Sequence, residues 1–441
     1  MYSAKFRRET LGFRLSAFDR WEQRGFSMSF AELHVRLCET RELTLALVAG
    51  LSDADSTIQP MPDASPAKWH LGHTTWFFET FILRDHVADY RLYEPSWPFL
   101  FNSYYEAEGQ RLLRARRGML SRPSLEEVIA YRRHVDTALA WEIAGLPEAA
   151  FGLVELGIQH EQQHQELLLT DILNAFASNP TGPAYWPDAE IIECPPAPPL
   201  EWHFFEGGLA PIGHSGSGFA FDAETPRHQA MLEPFAIASR CVTNREWEEF
   251  IADGGYRDPR HWLSDGWAWV NSEQISAPLY WGEKTGDGRI SFTLGGERLL
   301  AADAPVAHVS FFEADAFASW AGARLPTEQE WELAASSADP QMGNLLDGRG
   351  PIAPRGARGD GIQQIFGDVW EWTGSAFRPY PGFRAAPGAV GEYNGKFMSG
   401  QFVLRGGSCA TPRGHMRASY RNFFHPHQRW QFSGLRLAKD I

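Results

Sequence analysis

Between Asn179 and Leu200 the chain carries Pro180, Pro183, Pro187, Pro195, Pro196, Pro198 and Pro199, and no regular helix passes through such a stretch. This break divides 441 residues into two parts with different grammar. Before it, apolar residues recur at three- and four-residue spacing. After it, short strand-like runs such as Leu232 to Ile237 and Ala307 to Phe311 alternate with Gly- and Pro-rich turns. One or two helices interrupt them, notably Thr243 to Ala252 and Thr327 to Ala335. The expected organisation is an N-terminal extension over 1–28, expected to be disordered, a helical domain over 29–178, a Pro-rich linker over 179–200 and a loop-rich domain over 201–441.

Four helices are expected in the first part. Phe30 to Leu51 is rich in Ala, Leu and Glu. Ser65-Pro66 opens a second helix that runs through Trp69, His73, Trp76 and Phe77 towards Leu83. Ser124 to Ala144 starts with the capping box Ser124-Leu-Glu-Glu127, and Phe151 to Phe176 is the fourth. With one longer connection, 85–123, this is the pattern of a four-helix bundle. The fold class is therefore α+β in two domains.

A net charge of −15 leaves no basic face to track phosphates, so nucleic-acid partners are excluded. Cys38, Cys194, Cys241 and Cys409 form no CxxC pair, which argues against a disulfide framework or a zinc knuckle. The longest apolar run, Leu43 to Leu51, is too short to cross a bilayer. Residues 1–27 hold five arginines and no apolar core, so no secretory leader is expected, and Met28 is an alternative start. A soluble, cytoplasmic protein is expected.

The strongest chemical signal is His160-Glu161-Gln162-Gln163-His164. On a helix, positions i and i+4 share a face, so His160 and His164 can hold one metal ion from the same side. The same residues match the HExxH protease pattern, in which Glu161 would act as general base. The longer His-x-x-Gly-x-x-His continuation is missing, however, and the two middle positions are both Gln. A third imidazole is available in Trp69-His70-Leu71-Gly72-His73: either histidine can reach inward, and periodicity favours His73. Three imidazoles suit iron, zinc or copper and leave coordination positions open.

These residues carry a family resemblance. Ser65-Pro66, Trp69-His70-Leu71-Gly72-His73 and His160-x-x-x-His164-x-Glu166 resemble the DinB-like domain of the sulfoxide synthases of ergothioneine biosynthesis. The second part resembles the formylglycine-generating-enzyme (sulfatase-modifying factor) fold joined to it in that family. Its marks are Asp222-x-Glu224-x-Pro226-x-His228, Arg324-Leu-Pro-Thr-Glu328-x-Glu330-Trp331-Glu332, Gly367-Asp-Val-Trp-Glu-Trp372, Arg405-Gly-Gly-Ser408 and Gly434-Leu-Arg436. Trp331, Trp370 and Trp372 are expected in the core. The resemblance implies a non-haem Fe(II) enzyme that uses O2 to join a thiol to carbon 2 of the imidazole of hercynine, the trimethylated betaine of histidine, as a sulfoxide. It makes His73, His160 and His164 the ligands and His70 a packing residue. It sets Gln163, Tyr380, Asn422 and Phe423 against the betaine, where an amide and aromatic faces suit a trimethylammonium group. Ordinary packing is the competing reading for Tyr380 and Phe423.

Departures from one branch of the family bear on the thiol. Phe377 stands where that branch has a catalytic tyrosine, and Phe424 and Gln428 stand where it holds gamma-glutamylcysteine with an Asp and an Arg. A second branch has two tyrosines in the connection between bundle helices, matched here by Tyr104 and Tyr105, and a phenol can give a proton or an electron. Cysteine is therefore the expected sulfur donor; Arg378 or Arg429 is the alternative clamp that would instead let a gamma-glutamyl group bind. Rival readings are a synthase that installs selenium from a selenosugar and a non-catalytic betaine- or metal-binding module. A copper formylglycine-generating enzyme would need a cysteine pair, and the ovothiol-type synthases usually add a further domain.

Overall fold

In the computed structural model, residues 30–192, 194–286, 288–385 and 394–441 are described; the extension expected over 1–28 lies outside them. Helix α1 is Phe30–Val48 and α2 is Asp53–Thr57, the latter closed by a capping box between Ser52 and Asp55. Helix α3, Ala67–Phe78, is buried at every residue and continues as a π-helical turn over Glu79–Arg84. The sequence pattern puts Ser65 at its N-cap. Instead Pro66 is the cap, and the Ser65 hydroxyl accepts from Arg117 Nη1 at 2.8 Å. The π turn surrounds a demanding group: the buried Glu79 carboxylate accepts from Tyr131 Oη at 2.5 Å, Tyr90 Oη at 3.1 Å and the Tyr93 amide at 2.8 Å.

The long connection contains α4, Trp97–Phe101. Gly72 lets α4 lie against α3, since a Cβ there would stand 2.2 Å from Cε1 of Phe101. Helix α5, Leu125–Glu142, starts with the expected Ser124–Glu127 box, and α6 is Glu148–Ala177. The four long helices of the bundle are α1, α3, α5 and α6. Their shared interior includes Leu37, Leu47, Phe77, Phe78, Val128, Val135, Val154 and Ile158.

The described chain forms two compact units. One holds the chain through Ser103, Gly109–His164 and Gly216–Phe219; the other holds Tyr104–Glu108, Gln165–Ser215 and Ala220–Ile441. Helix α6 thus passes from the first to the second between His164 and Gln165. The expected linker is not a free tether. Tyr185 and Trp186 are buried in the second unit, and the Trp186 amide donates to the Leu294 carbonyl at 2.8 Å.

The second unit contains β1 (Trp202–Phe205), β2 (Gly208–Ile212), β3 (His228–Leu232), β4 (Phe235–Ala238), α7 (Asn244–Ala252) and α8 (Ser264–Ser272). There follow β5 (Trp281–Thr285), β6 (Gly288–Thr293), β7 (Gly296–Leu299), α9 (Phe311–Trp320), α10 (Glu328–Ala335), β8 (Trp370–Ala376), β9 (Phe402–Arg405), β10 (Asn422–Phe424), β11 (Ser433–Gly434) and β12 (Ala438–Asp440). They build small sheets in the orders β1-β4-β12, β10-β9-β8-β11, β2-β3 and β5-β6-β7. Two sequence expectations change here. The run Leu232 to Ile237 is the end of one strand and most of the next, divided at Glu233-Pro234, where proline cannot donate to a ladder. The run Ala307 to Phe311 is no strand: Ser310 and Glu313 form a capping box that starts α9. Trp331, Trp370 and Trp372 are fully buried, as expected. Among the described residues no helix is long and apolar enough to cross a membrane.

Candidate metal centre

Helices α3 and α6 bring three imidazoles together inside the first unit. One ring nitrogen from each of His73, His160 and His164 lies within 4.8 Å of the others. Nε2 of His73 is 3.2 Å from Nε2 of His160. Nitrogens held at about 2.1 Å by one metal, at right angles, stand about 3 Å apart, so this pair has the spacing of neighbouring ligands.

The His73 ring is fixed from both sides. Trp69 stacks on it at 4.5 Å between centroids and Trp76 at 5.6 Å. Its Nδ1 is 2.6 Å from the Phe101 carbonyl oxygen. A carbonyl only accepts, so Nδ1 carries the proton and the Nε2 lone pair is left for a metal. The column is extended by Arg117, whose guanidinium lies 3.3 Å over Trp69 while donating to the Ser65 and Ser103 hydroxyls. Nothing local in the sequence marks Arg117, because its partners are far away in the chain.

Burial keeps the three rings neutral. It pushes His160 down to about 4 and His73 and His164 well below the ordinary imidazole value, with neighbouring imidazoles adding to the effect at all three. Neutral rings offer the lone pairs that metal ligation requires. The donor set fits a transition metal: three imidazole nitrogens are fewer ligands than such an ion takes, which leaves coordination positions for exogenous groups.

Glu161, the candidate protease base, faces elsewhere. Its carboxylate accepts from Arg41 Nη1 at 2.8 Å, from the Thr44 hydroxyl at 2.5 Å and from Arg132. Arg132 and Glu161 are fully buried and Arg41 nearly so. A carboxylate held by two guanidiniums has no capacity left for water activation, so the HExxH match is one of spelling only. Nothing local in the sequence singles out Arg41 or Arg132, since each helix carries a second arginine and several carboxylates.

His70, expected to pack, stands beside the cluster with its Nδ1 2.8 Å from Nδ1 of His164. Gln163 is half-buried on α6. Glu166 belongs to the second unit, where its buried carboxylate accepts from Trp370 Nε1 and Thr411 Oγ1, both at 2.8 Å, and from the Ser408 hydroxyl. It is committed to that network rather than to the imidazoles.

The other expected site residues lie in the second unit. Tyr105 is buried, and the Tyr104 ring meets Phe397 edge-on at 4.9 Å while Lys396 donates to the Tyr104 carbonyl. Phe423 stacks on Phe377 at 4.2 Å and on Phe397 at 5.8 Å. Tyr104, Phe397, Phe423 and Phe377 therefore form one aromatic row. The Asn422 side-chain oxygen accepts from the Phe423 amide, and Phe424 meets Trp430 edge-on. Tyr380 is buried: its hydroxyl accepts from Arg405 Nη2 at 3.0 Å, and Arg421 covers its ring at 4.1 Å. Those surroundings are the ones ordinary packing calls for. Arg378 is exposed. Arg429 donates to Glu313 and to the Ala277 carbonyl, so its guanidinium is already engaged.

Comparison with known proteins matches both parts of the chain. The DinB superfamily matches residues 36–168, and the sulfatase-modifying factor enzyme 1-like domain matches residues 201–441. Hercynine oxygenase of Mycobacterium tuberculosis is 34% identical over 93% of this chain and 99% of its own. The hercynine oxygenase of Mycolicibacterium smegmatis is 37% identical over 92% of this chain and 98% of its own. The formylglycine-generating enzyme of Streptomyces coelicolor is 29% identical over 46% of this chain and 76% of its own.

Proposed function

This chain belongs to the hercynine oxygenase family of oxidoreductases, and on that premise we propose that it is a non-haem Fe(II)- and O2-dependent sulfoxide synthase joining cysteine to the imidazole carbon 2 of hercynine in ergothioneine biosynthesis. The observation that carries the reading is the convergence of His73, His160 and His164 as neutral imidazoles. These three residues would hold the Fe(II), which supplies redox chemistry with dioxygen that no protein side chain offers.

The chain's own residues do the rest. The Trp69–His73–Trp76 stack keeps one ligand ring from turning and keeps water from its faces. Gln163 offers an amide to the betaine, and Asn422 with the Phe423 face suits its trimethylammonium group. Tyr104 and Tyr105 supply a proton or an electron during sulfur–carbon bond formation. Changing both to Phe should shift the product from the sulfoxide towards the sulfinic acid of the thiol; unchanged product ratios would remove them from the chemistry.

Cysteine as the donor rests on what surrounds Phe424. A gamma-glutamyl group brings a further carboxylate and ammonium, which are costly to bury without partners. Phe424 packs on Trp430, the Gln428 side-chain Oε1 accepts from the His425 amide, and Arg429 is held by Glu313. A missing charged pair worth about 2 to 3 kcal/mol corresponds to roughly 30- to 150-fold in specificity. The test is anaerobic Fe(II) loading, then oxygen uptake with hercynine and each thiol. Cysteine should give the higher kcat/KM by that factor. Equal values, or a preference for gamma-glutamylcysteine, would overturn the donor assignment, and no hercynine-dependent uptake with any thiol would overturn the activity.

A further inference from the structure

His70 and His164 meet through like atoms, Nδ1 to Nδ1, at 2.8 Å. Their rings are tilted by 57° with centroids 5.1 Å apart, so the contact is an edge-to-edge hydrogen bond rather than a stack. Two neutral imidazoles can make such a bond only if one Nδ1 carries a proton and the other a lone pair. The choice decides what the far side of each ring offers. If His164 accepted, its proton would sit on Nε2 and block that atom as a ligand. If His164 donates, Nε2 presents a lone pair.

We infer that His70 is a positioning residue for the metal centre: its Nδ1 accepts the Nδ1–H of His164 and so holds that ring in the tautomer and orientation that presents Nε2 to the metal. This rests on the proposed ligand set. It gives His164 the kind of outer partner that His73 has in the Phe101 carbonyl. The two partners differ in one respect. A carbonyl accepts in every state, whereas an imidazole accepts only while its own proton stays on Nε2. One helix thus supplies both a ligand, His73, and, one turn before it, the residue that sets the ligand from the facing helix. His70 is buried and its edge is met by Trp69 at 5.8 Å, so the ring has little freedom to turn away.

The group within 4.8 Å is His73, His160 and His164, which makes His70 an outer partner rather than a fourth ligand, and the two roles differ in size. Losing an outer partner typically costs 10- to 100-fold in metal affinity. The test is anaerobic Co(II) titration of the full chain against a competing chelator, with His70→Leu, which fills the space without an acceptor, and His70→Asn, whose carbonyl oxygen can take the place of Nδ1. The inference expects roughly 10- to 100-fold weaker binding in His70→Leu. It also expects recovery of most of that loss in His70→Asn, and a far larger loss in His73→Ala. X-ray absorption of the Co(II)-loaded wild-type protein should show three imidazoles, and this reading does not depend on any variant folding. Wild-type affinity in His70→Leu would overturn the inference while leaving the ligand set intact. A loss in His70→Leu equal to that of His73→Ala, or four imidazoles in the wild type, would overturn it by making His70 a ligand. Wild-type affinity in both His73→Ala and His160→Ala would overturn the ligand set, and the inference with it.

Discussion

Both units bury carboxylates against arginines, but the pairs sit on different kinds of backbone. In the helical unit Glu161 on α6 is held by Arg41 and Thr44 on α1 and Arg132 on α5, all on regular helices. In the loop-rich unit Arg405 bonds Glu328 and Glu332, Arg421 bonds Glu328 with two nitrogens, and Arg436 bonds Glu371. Here Glu328 and Glu332 lie on α10 and Glu371 on β8, while Arg405 ends β9 and Arg421 and Arg436 lie in segments between strands. The second set ties irregular backbone together. The first set fixes a rotation: neighbouring residues on a helix point about 100° apart, so anchoring Glu161 on one side of α6 aims His160 to the other. The same chemistry staples loops in one unit and orients a ligand in the other.

The largest expected effect breaks this comparison at its centre. Glu161→Ala leaves Arg132 buried without its anion and Arg41 with Asp136 alone, and should cost about 3 to 5 kcal/mol of stability; Arg405→Ala should cost a similar amount. Metal affinity separates them: Co(II) binding should weaken in Glu161→Ala and stay near wild type in Arg405→Ala. Equal effects on Co(II) binding would mean that Glu161 does not orient α6. The pH dependence has a definite sign. Burial alone would raise the Glu161 carboxyl, but Arg132, Arg41 and the hydrogen bonds outweigh it and hold it below the ordinary 4.5. A depressed folded value means that the stabilisation is complete above about 4.5 and is lost as pH falls through the folded value. Glu161→Gln should therefore flatten the acid limb of stability, measured by denaturant unfolding at several pH values.

A smaller effect comes from glycines at close contacts. A methyl at Gly72 would stand 2.2 Å from the Phe101 ring, and one at Gly434 would stand 2.5 Å from the Val306 carbonyl oxygen. Each alanine variant should lose about 1 to 3 kcal/mol. Phe101 also holds His73 through its carbonyl, so Gly72→Ala should weaken Co(II) binding as well, and Gly434→Ala should not. An unchanged Co(II) affinity in Gly72→Ala would detach the Phe101 carbonyl from the ligand's function.

What the sequence reveals follows the same division. In the helical unit a period of 3.6 residues ties spacing to direction, so His73, His160 and His164 can be brought to one point on paper, and the structure gathers them. His70 is harder to read, because the same spacing serves a histidine that packs and one that reaches inward. In the loop-rich unit spacing carries no direction. Ala307 to Phe311 has the composition of a strand, yet Ser310 and Glu313 make it a helix start. Even in the helical unit, Ser65 has the composition of a cap, yet its hydroxyl serves Arg117, fifty-two residues away. The aromatic row from Tyr104 to Phe377 joins segments that no local pattern connects.

The smallest expected effect concerns Tyr380, where the sequence offers two readings. Its hydroxyl accepts from Arg405 and lies 3.4 Å from Glu328, its ring is covered by Arg421, and its neighbours include Ile212, Phe235 and Ile237 of the unit's core. In Tyr380→Phe the ring and its stacking remain, and Arg405 Nη2 keeps Glu328 and Glu332 as acceptors. Two hydrogen bonds are lost, the one accepted from Arg405 and the long one donated to Glu328, so stability should fall by about 1 to 2 kcal/mol. The KM for hercynine should not move. A tenfold rise in KM with unchanged stability would instead return Tyr380 to the betaine and show that even a hydroxyl engaged by a buried arginine can face substrate in this unit. Steady-state kinetics and thermal unfolding of this single variant therefore decide whether the loop-rich unit keeps its polar groups for the fold, as Glu328 and Glu371 do, or shares them with substrate.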